Sequence, residues 1–568
     1  MRIVRMLRGA IVVAAALGLA ACAALPTTGD VRPGLAAGQA DTSSDVAYVP
    51  QGPSDGMDPE QIVRGFIDAA SSPKDSWGIA REYLTSSAAQ KWKPDVGVTI
   101  DASLSDRRYD APTVAKGATA ATVRLGLQQT ANVDENGNYS GSAVSGSSEL
   151  PFSLAKGADG QWRITSAPDG IVLDAQSFAA GDVFAPYALE YFDPTWTYLV
   201  PDVRWFPKRE NTASRIVQSL VTGKPSPWLT NGVRTAFTGD VALARNTVTP
   251  VAQVAEVALT DAALSADAAT LARMRTQLER SLADLGVQQV KLTVGGRDLN
   301  AGSASAASTT VDSRPLVLTD KGFGFLSDGE VTPVAGVSAE LTSFPHPITA
   351  IRASSGAQRV VVQTADGVVY AVADGKVDEF DSRPGLAAPA LDPFGYIWTV
   401  PQQTPQAITA WSTSITPRPI TGPQDASQLT ALAMSRDGSR LAMAVVVSGQ
   451  IRVEVAAVTR DDRGAPTAIG PPSVVSWPPG PVADITWLDD TTVGVLTSDN
   501  NSTELLEQPV GGPKTTVAAP DGTRTVAPAP SLLTIRLLGG TGVLWVRSGP
   551  NWPQVSTNVK VLGVQLGG

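Results

Sequence analysis

From about residue 314 to its C-terminus the chain is a run of short apolar segments cut by Gly, Pro, Asp and Ser, with no helical period of useful length. A region of this kind is all-β, and all-β with recurring turns means a sandwich, a barrel or a propeller. The recurrence chooses among them. Strand pairs hinged on a polar turn occur at 348–362, 387–400, 429–446, 482–496 and 534–546, with starts about 40 to 50 residues apart. The fullest copy is Ser435-Arg436-Asp437-Gly438-Ser439-Arg440-Leu441-Ala442. Asp392-Pro393-Phe394-Gly395-Tyr396-Ile397-Trp398 and Trp487-Leu488-Asp489-Asp490-Thr491 are degenerate versions of it. Four-stranded blades recur at about this period because one meander buries its faces only against neighbouring meanders. Asp437 suits the turn by bonding its own backbone, and Gly438 by accepting positive φ. Five full units and a shorter pair at 316–326 point to a propeller of about six blades, with five to seven open.

The opposite end sets an address. Arg2, Arg5 and Arg8 precede an apolar run over 10–19 and then small residues, the order of a secretory signal peptide. That run is far short of the ~20 residues of a spanning helix, and no other stretch is long enough. Leu19-Ala20-Ala21-Cys22 fits the bacterial lipobox, with cleavage between Ala21 and Cys22. Cys22, the only cysteine, is therefore expected to carry S-diacylglycerol and N-palmitoyl groups. Each buried methylene adds about 0.8 kcal/mol, and two or more chains hold a protein stably on a bilayer. The expected layout is a signal peptide over 1–21 and a flexible stalk over 22–53, rich in Gly, Ala, Pro, Thr, Ser and Asp, on the extracytoplasmic face of the cell membrane.

About 500 residues beyond the stalk are too many for one core, so two to four domains are expected. Hydrophobic residues at 43% against charged residues at 17% make the chain globular rather than disordered. The net charge is −10, and losing the three signal arginines makes the mature chain more acidic still. That argues against nucleic acid and against electrostatic docking on anionic lipid. With one histidine, His346, and one thiol, neither a His/Cys zinc site nor a Cys-His nucleophile pair can be built. His346 lies in Phe344-Pro345-His346-Pro347, which reads as a connector rather than as a general base. Asn132-Val133-Asp134-Glu135-Asn136-Gly137 has part of an EF-hand spacing, but the twelfth position falls on Ala143, so the stretch reads as a hairpin turn on Asn136-Gly137. No metal or cofactor is expected.

The first folded region, 54–178, opens on Asp58-Pro59-Glu60-Gln61, an N-cap, a first-turn proline and a capping-box glutamine. Ile62, Val63, Phe66, Ile67 and Ala70 mark one helical face, a second helix is expected over 77–84, and strands over 97–104, 119–130, 148–155 and 161–164. This α+β order, with Phe152 to Leu154 running into Gly160-Gln161-Trp162-Arg163-Ile164, resembles the NTF2-like domains of extracytoplasmic lipoproteins. The second region, 183–303, has strands at 187–192 and 198–200 and a helix capped by Asn211 that buries Ile216, Val217, Leu220 and Val221 and stops at Gly223. A longer helix opens at Asp267 with Leu271, Met274, Leu278, Leu282 and Leu285 on one stripe, ends at Gly286, and leads into a strand at 290–294 and Gly295-Gly296. Leu220-Val221-Thr222-Gly223-Lys224-Pro225, with a following strand at Val233-Arg234-Thr235-Ala236-Phe237, resembles the GerMN domain, a family not associated with catalysis. The third region, 314–568, is the propeller. Trp398, Trp411, Trp477, Trp487, Trp545 and Trp552 could stack on sugars, but in a propeller such rings are expected to pack between blades.

Lipobox, NTF2-like region, GerMN region and propeller, in that order, resemble the LpqB family of actinobacterial lipoproteins. The resemblance implies a non-catalytic accessory to a two-component system, the MtrA and MtrB pair, that engages the extracytoplasmic part of the sensor histidine kinase MtrB and tunes signalling to cell-wall growth and division. Two other classes stand beside it. A wall-glycan hydrolase could use two carboxylates alone, and a solute-binding lipoprotein could feed a transporter.

Overall fold

A computed structural model describes residues 50–111, 115, 117–222, 224–499 and 502–567 of the chain. The signal arginines, Ala21, Cys22, most of the stalk and Gly223 lie outside the described residues.

Asp58 decides where the N-terminal domain begins to coil. Its carboxylate accepts from the Gln61 amide at 2.9 Å while the Gln61 side chain accepts from the Asp58 amide at 2.9 Å, and Pro59 occupies the first turn. The resulting helix, Pro59–Ala70, buries Ile62, Val63, Phe66, Ile67 and Ala70 against a sheet. That sheet runs Trp162–Ser166, Tyr139–Lys156, Ala120–Val133, Val98–Asp101, Ile171–Asp174, with Arg108–Asp110 paired to the third of these. The long central hairpin turns at Asp134, whose carboxylate accepts from the Asn136 and Asn138 amides, and Gly137 takes φ 83°. The second helix is shorter than expected, Gly78–Glu82, because Trp77 sits in the left-handed region at φ 61° and cannot be helical. The strand expected to reach residue 104 stops at Asp101, where Ser103 caps a 3-10 turn. Helices Ser86–Lys91 and Ala175–Ala180 and strand Ile171–Asp174 are too short to leave a periodic signal in the sequence.

The middle domain combines an antiparallel hairpin, Phe184–Phe192 with Leu199–Pro207, and two parallel strands, Val254–Leu259 and Gln289–Val294. Helix Ala268–Ser281 connects the parallel pair; the Asp267 side chain caps it at the Thr270 amide, and the stripe buries Met274, Leu278 and Leu282 with Leu271 and Leu285 partly covered. Two expectations fail here. Asn211 occupies the N-cap of helix Thr212–Val221, but its side chain makes no capping bond; the Thr212 hydroxyl bonds the Pro207 and Arg209 carbonyls instead. The strand expected at 233–237 is reduced to one bridge between Arg234 and Phe192, because the Ala236 amide donates to the Gln277 side chain rather than to a ladder.

Beyond residue 315 the chain folds into consecutive antiparallel meanders. Their first strands are Ile348–Ala353, Ala390–Leu391, Gln428–Met434, Val482–Trp487 and Thr523–Ala527, and a further meander is built on Val559–Gln565. Each first strand touches the next, and Val559–Gln565 returns to Ile348–Ala353, which it pairs in parallel, so the ring is closed. Closure comes from sequence-distant pairing: Val559–Gln565 lies antiparallel to Leu316–Thr319. Two of the hinged pairs expected to open blades are therefore one strand out of phase. Those at 316–326 and 534–546 are second and third strands of their blades, because Thr523–Ala527 has weak apolar alternation and the other first strand arrives from the far end of the domain. The turn copies share one geometry. Asp392 accepts from the Phe394 and Tyr396 amides, Asp437 from the Ser439 amide at 2.8 Å, and Asp489 from the Thr491 amide at 2.8 Å. Gly438 takes φ 74° as expected. The whole is two α+β domains followed by an all-β propeller.

Candidate functional site

His346 is half-exposed on a connector, its Nδ1 3.7 Å from Asp366, a surface pair of little energetic weight. Among the described residues no group of three His, Cys, Asp or Glu side chains is placed to hold a metal ion. Of the six tryptophans, Trp398 and Trp487 are buried and donate to Asp392 Oδ2 and the Ala433 carbonyl. Trp411, Trp477, Trp545 and Trp552 are half-buried.

What the fold does assemble is a junction that locks the middle domain onto both neighbours. In strand Leu199–Pro207, Asp202 and Arg204 sit on one face and form a buried ion pair at 2.8 Å. Arg204 also donates to the Asn136 carbonyl of the N-terminal domain, and Asp202 accepts from the Ser226 amide and hydroxyl. Trp205 packs at a tilt against Phe178, ring centroids 4.2 Å apart, and sends its indole N–H to the Gly511 carbonyl of the propeller at 2.8 Å. Arg215 pairs with Asp95 at 2.8 Å, Arg234 pairs with Asp462, and Tyr198 meets Phe394 edge-on. The linker joins in, its Thr309 hydroxyl donating to Asp490 and its Asp312 and Ser313 carbonyls accepting from Arg536. Burial lowers the Arg536 guanidinium to about 10, with Asp312 opposing and Arg436 adding to the fall.

The propeller end of this junction is charged yet sealed. Arg440 and Asp437 pair at 2.5 Å and Arg460 and Asp392 at 2.7 Å, all four side chains buried. Glu190, on the middle domain's first strand, keeps part of its surface exposed, but its Oε2 is sealed and has no hydrogen-bond partner among the described residues, and the same holds for Asp490 Oδ1. Burial and the neighbouring Asp490, opposed by Arg440, raise its carboxyl to about 8; Asp437 adds to the rise and Arg280 opposes it. This is the most perturbed carboxylate of the junction, and it faces protein rather than an open cleft.

The contacts made by the propeller lie where the first strands of its blades end. At the opposite end of the ring the first strands begin, and there Thr349, Arg524, Thr525, Thr557, Asn558 and Lys560 line an open depression of about 580 Å³. Inside the ring, Arg352 and Asp484 face each other at 3.8 Å from first strands of different blades. The sequence alone marks none of the junction residues as a contact. The available signal was Asp202 and Arg204 alternating within an otherwise apolar strand, a pattern that a solvated strand face shows equally.

Residues 52–179 match the family model described as Lipoprotein LpqB, N-terminal domain; 188–300 match Sporulation and spore germination; 318–561 match Lipoprotein LpqB beta-propeller domain. The chain is 28% identical over 410 residues to Lipoprotein LpqB of Bifidobacterium longum, covering 70% of this chain and 68% of that one. It is 32% identical over 295 residues to the Lipoprotein LpqB of Thermobifida fusca, covering 50% and 45%. The match thus spans about half to two thirds of these relatives' lengths. A solved streptogramin B lyase aligns with a TM-score of 0.26 at 15% identity, over 37% of this chain and 71% of that one.

Proposed function

Because the chain belongs to the LpqB family of lipoproteins, we propose that it is a non-catalytic binding protein, held by acyl groups on Cys22, that modulates the sensor kinase of an MtrB-like two-component system. The observation that carries the reading is the locked junction. Interdomain hydrogen bonds from Arg204 to the Asn136 carbonyl, from Trp205 to the Gly511 carbonyl and from Arg440 to the Pro201 carbonyl, with the partly exposed pairs Arg215–Asp95 and Arg234–Asp462, fasten the first two domains to one end of the propeller, which makes a single rigid platform with its other end open. A rigid face of loops suits recognition of a protein surface. The raised carboxyl of Glu190 faces protein inside the junction, which does not favour glycan hydrolysis. No helix among the described residues is long and apolar enough to cross a membrane, so the anchor in this reading is lipid. Tethering both partners to one bilayer raises their effective concentration toward about millimolar, so a micromolar contact would be largely occupied.

The test uses acylated protein and the purified sensor in one nanodisc. Binding that is lost in Arg524→Glu/Lys560→Glu and kept in wild type is the expected result. Absence of binding up to about millimolar concentration, with sensor phosphorylation unchanged on deletion, refutes the reading. Hydrolysis of wall glycan by the pure protein would replace it with the enzyme class.

A further inference from the structure

A second feature of the junction is hollow rather than locked. Where the N-terminal domain, the middle domain and the propeller meet lies a cavity of about 480 Å³, walled by Tyr139, Trp228, Pro471, Pro472, Ser473 and Gln508 among others. That volume lies within the range of small-molecule sites, which are mostly apolar with a few placed polar groups. The charge on its walls is the informative part. The only ionisable acids or bases there, apart from the Tyr139 phenol, are Asp134 and Asp202, and both are used internally. Asp134 accepts from the Asn136 and Asn138 amides and the Asn138 side chain. Asp202 is paired with Arg204 and accepts from the amide and hydroxyl of Ser226. No lysine or arginine among the described residues lines the cavity, so an anion finds no counter-charge, and a cation finds carboxylates already saturated.

The remaining polar groups are neutral. Gln508 uses its amide N–H groups on the Pro509 and Gly512 carbonyls, which leaves its side-chain carbonyl without a partner among the described residues. The Tyr139 hydroxyl and the Trp228 indole N–H likewise have none there, and burial holds the Tyr139 phenol up at about 12, so it stays a neutral donor. Flat aromatic and proline surfaces beside a few neutral donors and acceptors match one ligand chemistry: a ring with an apolar face and hydroxyls at its edge. From this placement we infer that the three-domain cavity binds a neutral saccharide unit, with Trp228 and the prolines against its face and Gln508 and Tyr139 at its hydroxyls. A saccharide seated there touches all three domains at once, so its occupancy stabilises their mutual arrangement. The inference is independent of the kinase reading.

The experiment is saturation-transfer NMR on the detergent-solubilised full-length protein, with N-acetylglucosamine and methyl glucoside as probes and glucosamine and glucuronate as charged counterparts. Binding of a neutral sugar at millimolar or tighter Kd, at least tenfold stronger than either charged counterpart, is expected. Trp228→Ala should lose at least tenfold in affinity while Trp552→Ala, which does not line the cavity, leaves it unchanged; circular dichroism establishes that both fold. The inference is overturned if neither neutral sugar binds at about 50 mM. It is equally overturned if charged and neutral sugars bind alike, if a triproline peptide binds in their place, or if folded Trp228→Ala binds as wild type does. Should Trp228→Ala fail to fold, the charged-against-neutral comparison on wild type decides alone.

Discussion

Replacing Glu190 with Gln removes a proton-binding group from the seam between the middle domain and the propeller without changing its size. The carboxyl sits at about 8 in the folded protein, against 4.5 for an ordinary glutamate, because it is buried beside Asp490. Below about pH 4.5 both folded and unfolded chains hold the proton, and the group costs nothing. Between 4.5 and 8 the unfolded chain releases its proton while the folded chain keeps it, so stability falls as pH rises. At pH 7 the gap is about 2.5 pH units, and at about 1.4 kcal/mol each the cost is about 3 kcal/mol, an upper figure because the residue keeps some exposed surface. Above pH 8 it levels off at about 5 kcal/mol on the same basis. Glu190→Gln is therefore expected to match wild type near pH 4.5 and to exceed it by up to about 3 kcal/mol at pH 7. Urea unfolding of both proteins at pH 5, 7 and 9 (about), followed by far-UV circular dichroism and Trp fluorescence, reads the difference directly. Parallel stability profiles across that range, or a variant less stable than wild type at pH 7, would refute the reasoning.

Asp392→Asn removes the partner of a fully buried guanidinium, so Arg460 is left uncompensated and the propeller should lose about 3 to 5 kcal/mol in chemical denaturation; a loss under about 1 kcal/mol contradicts it. Deleting Val559–Gln565 takes away the strand that pairs both Leu316–Thr319 and Ile348–Ala353, and the cooperative β-rich melt should vanish; its persistence counts against ring closure. Gly438→Ala forces a side chain into φ 74° and against Pro393 and Phe394, and a melting temperature lower than wild type by several degrees is expected, about 1 to 3 kcal/mol. Cys22→Ala should abolish incorporation of a tagged fatty acid, and equal labelling of both proteins would remove the lipobox reading.

Features with a local cause were legible. The capping box at Asp58 and Gln61, the turn at Asp134, the stripe on helix Ala268–Ser281 and the Asp-led turns at Asp392, Asp437 and Asp489 each depend on residues a few positions apart, and spacing reports them. Features whose cause is distant were not. Glu190 reads as an ordinary strand residue until Arg440 and Asp490 arrive beside it, and Thr523–Ala527 reads as a loop until Arg536–Gly539 pairs with it. Val233 to Phe237 shows the converse error, since a β-like composition lost its ladder to the Gln277 side chain. Cys22 and Gly223 lie outside the described residues. The junction cavity has walls from three domains, and no window of sequence contains more than one of them.

The antiparallel pairing of Val559–Gln565 with Leu316–Thr319 also sets a timetable for biogenesis. A ribosome working at about 5 to 20 residues per second delivers the earlier strand on the order of tens of seconds before its partner. Through that interval the edge of Leu316–Thr319 carries unsatisfied amides and carbonyls, the template on which non-native strands add. Contacts of such high sequence separation are also slow to form once both strands exist. Production of this protein should thus be limited by holdase capacity while it is still an open ring rather than by the stability of the finished one.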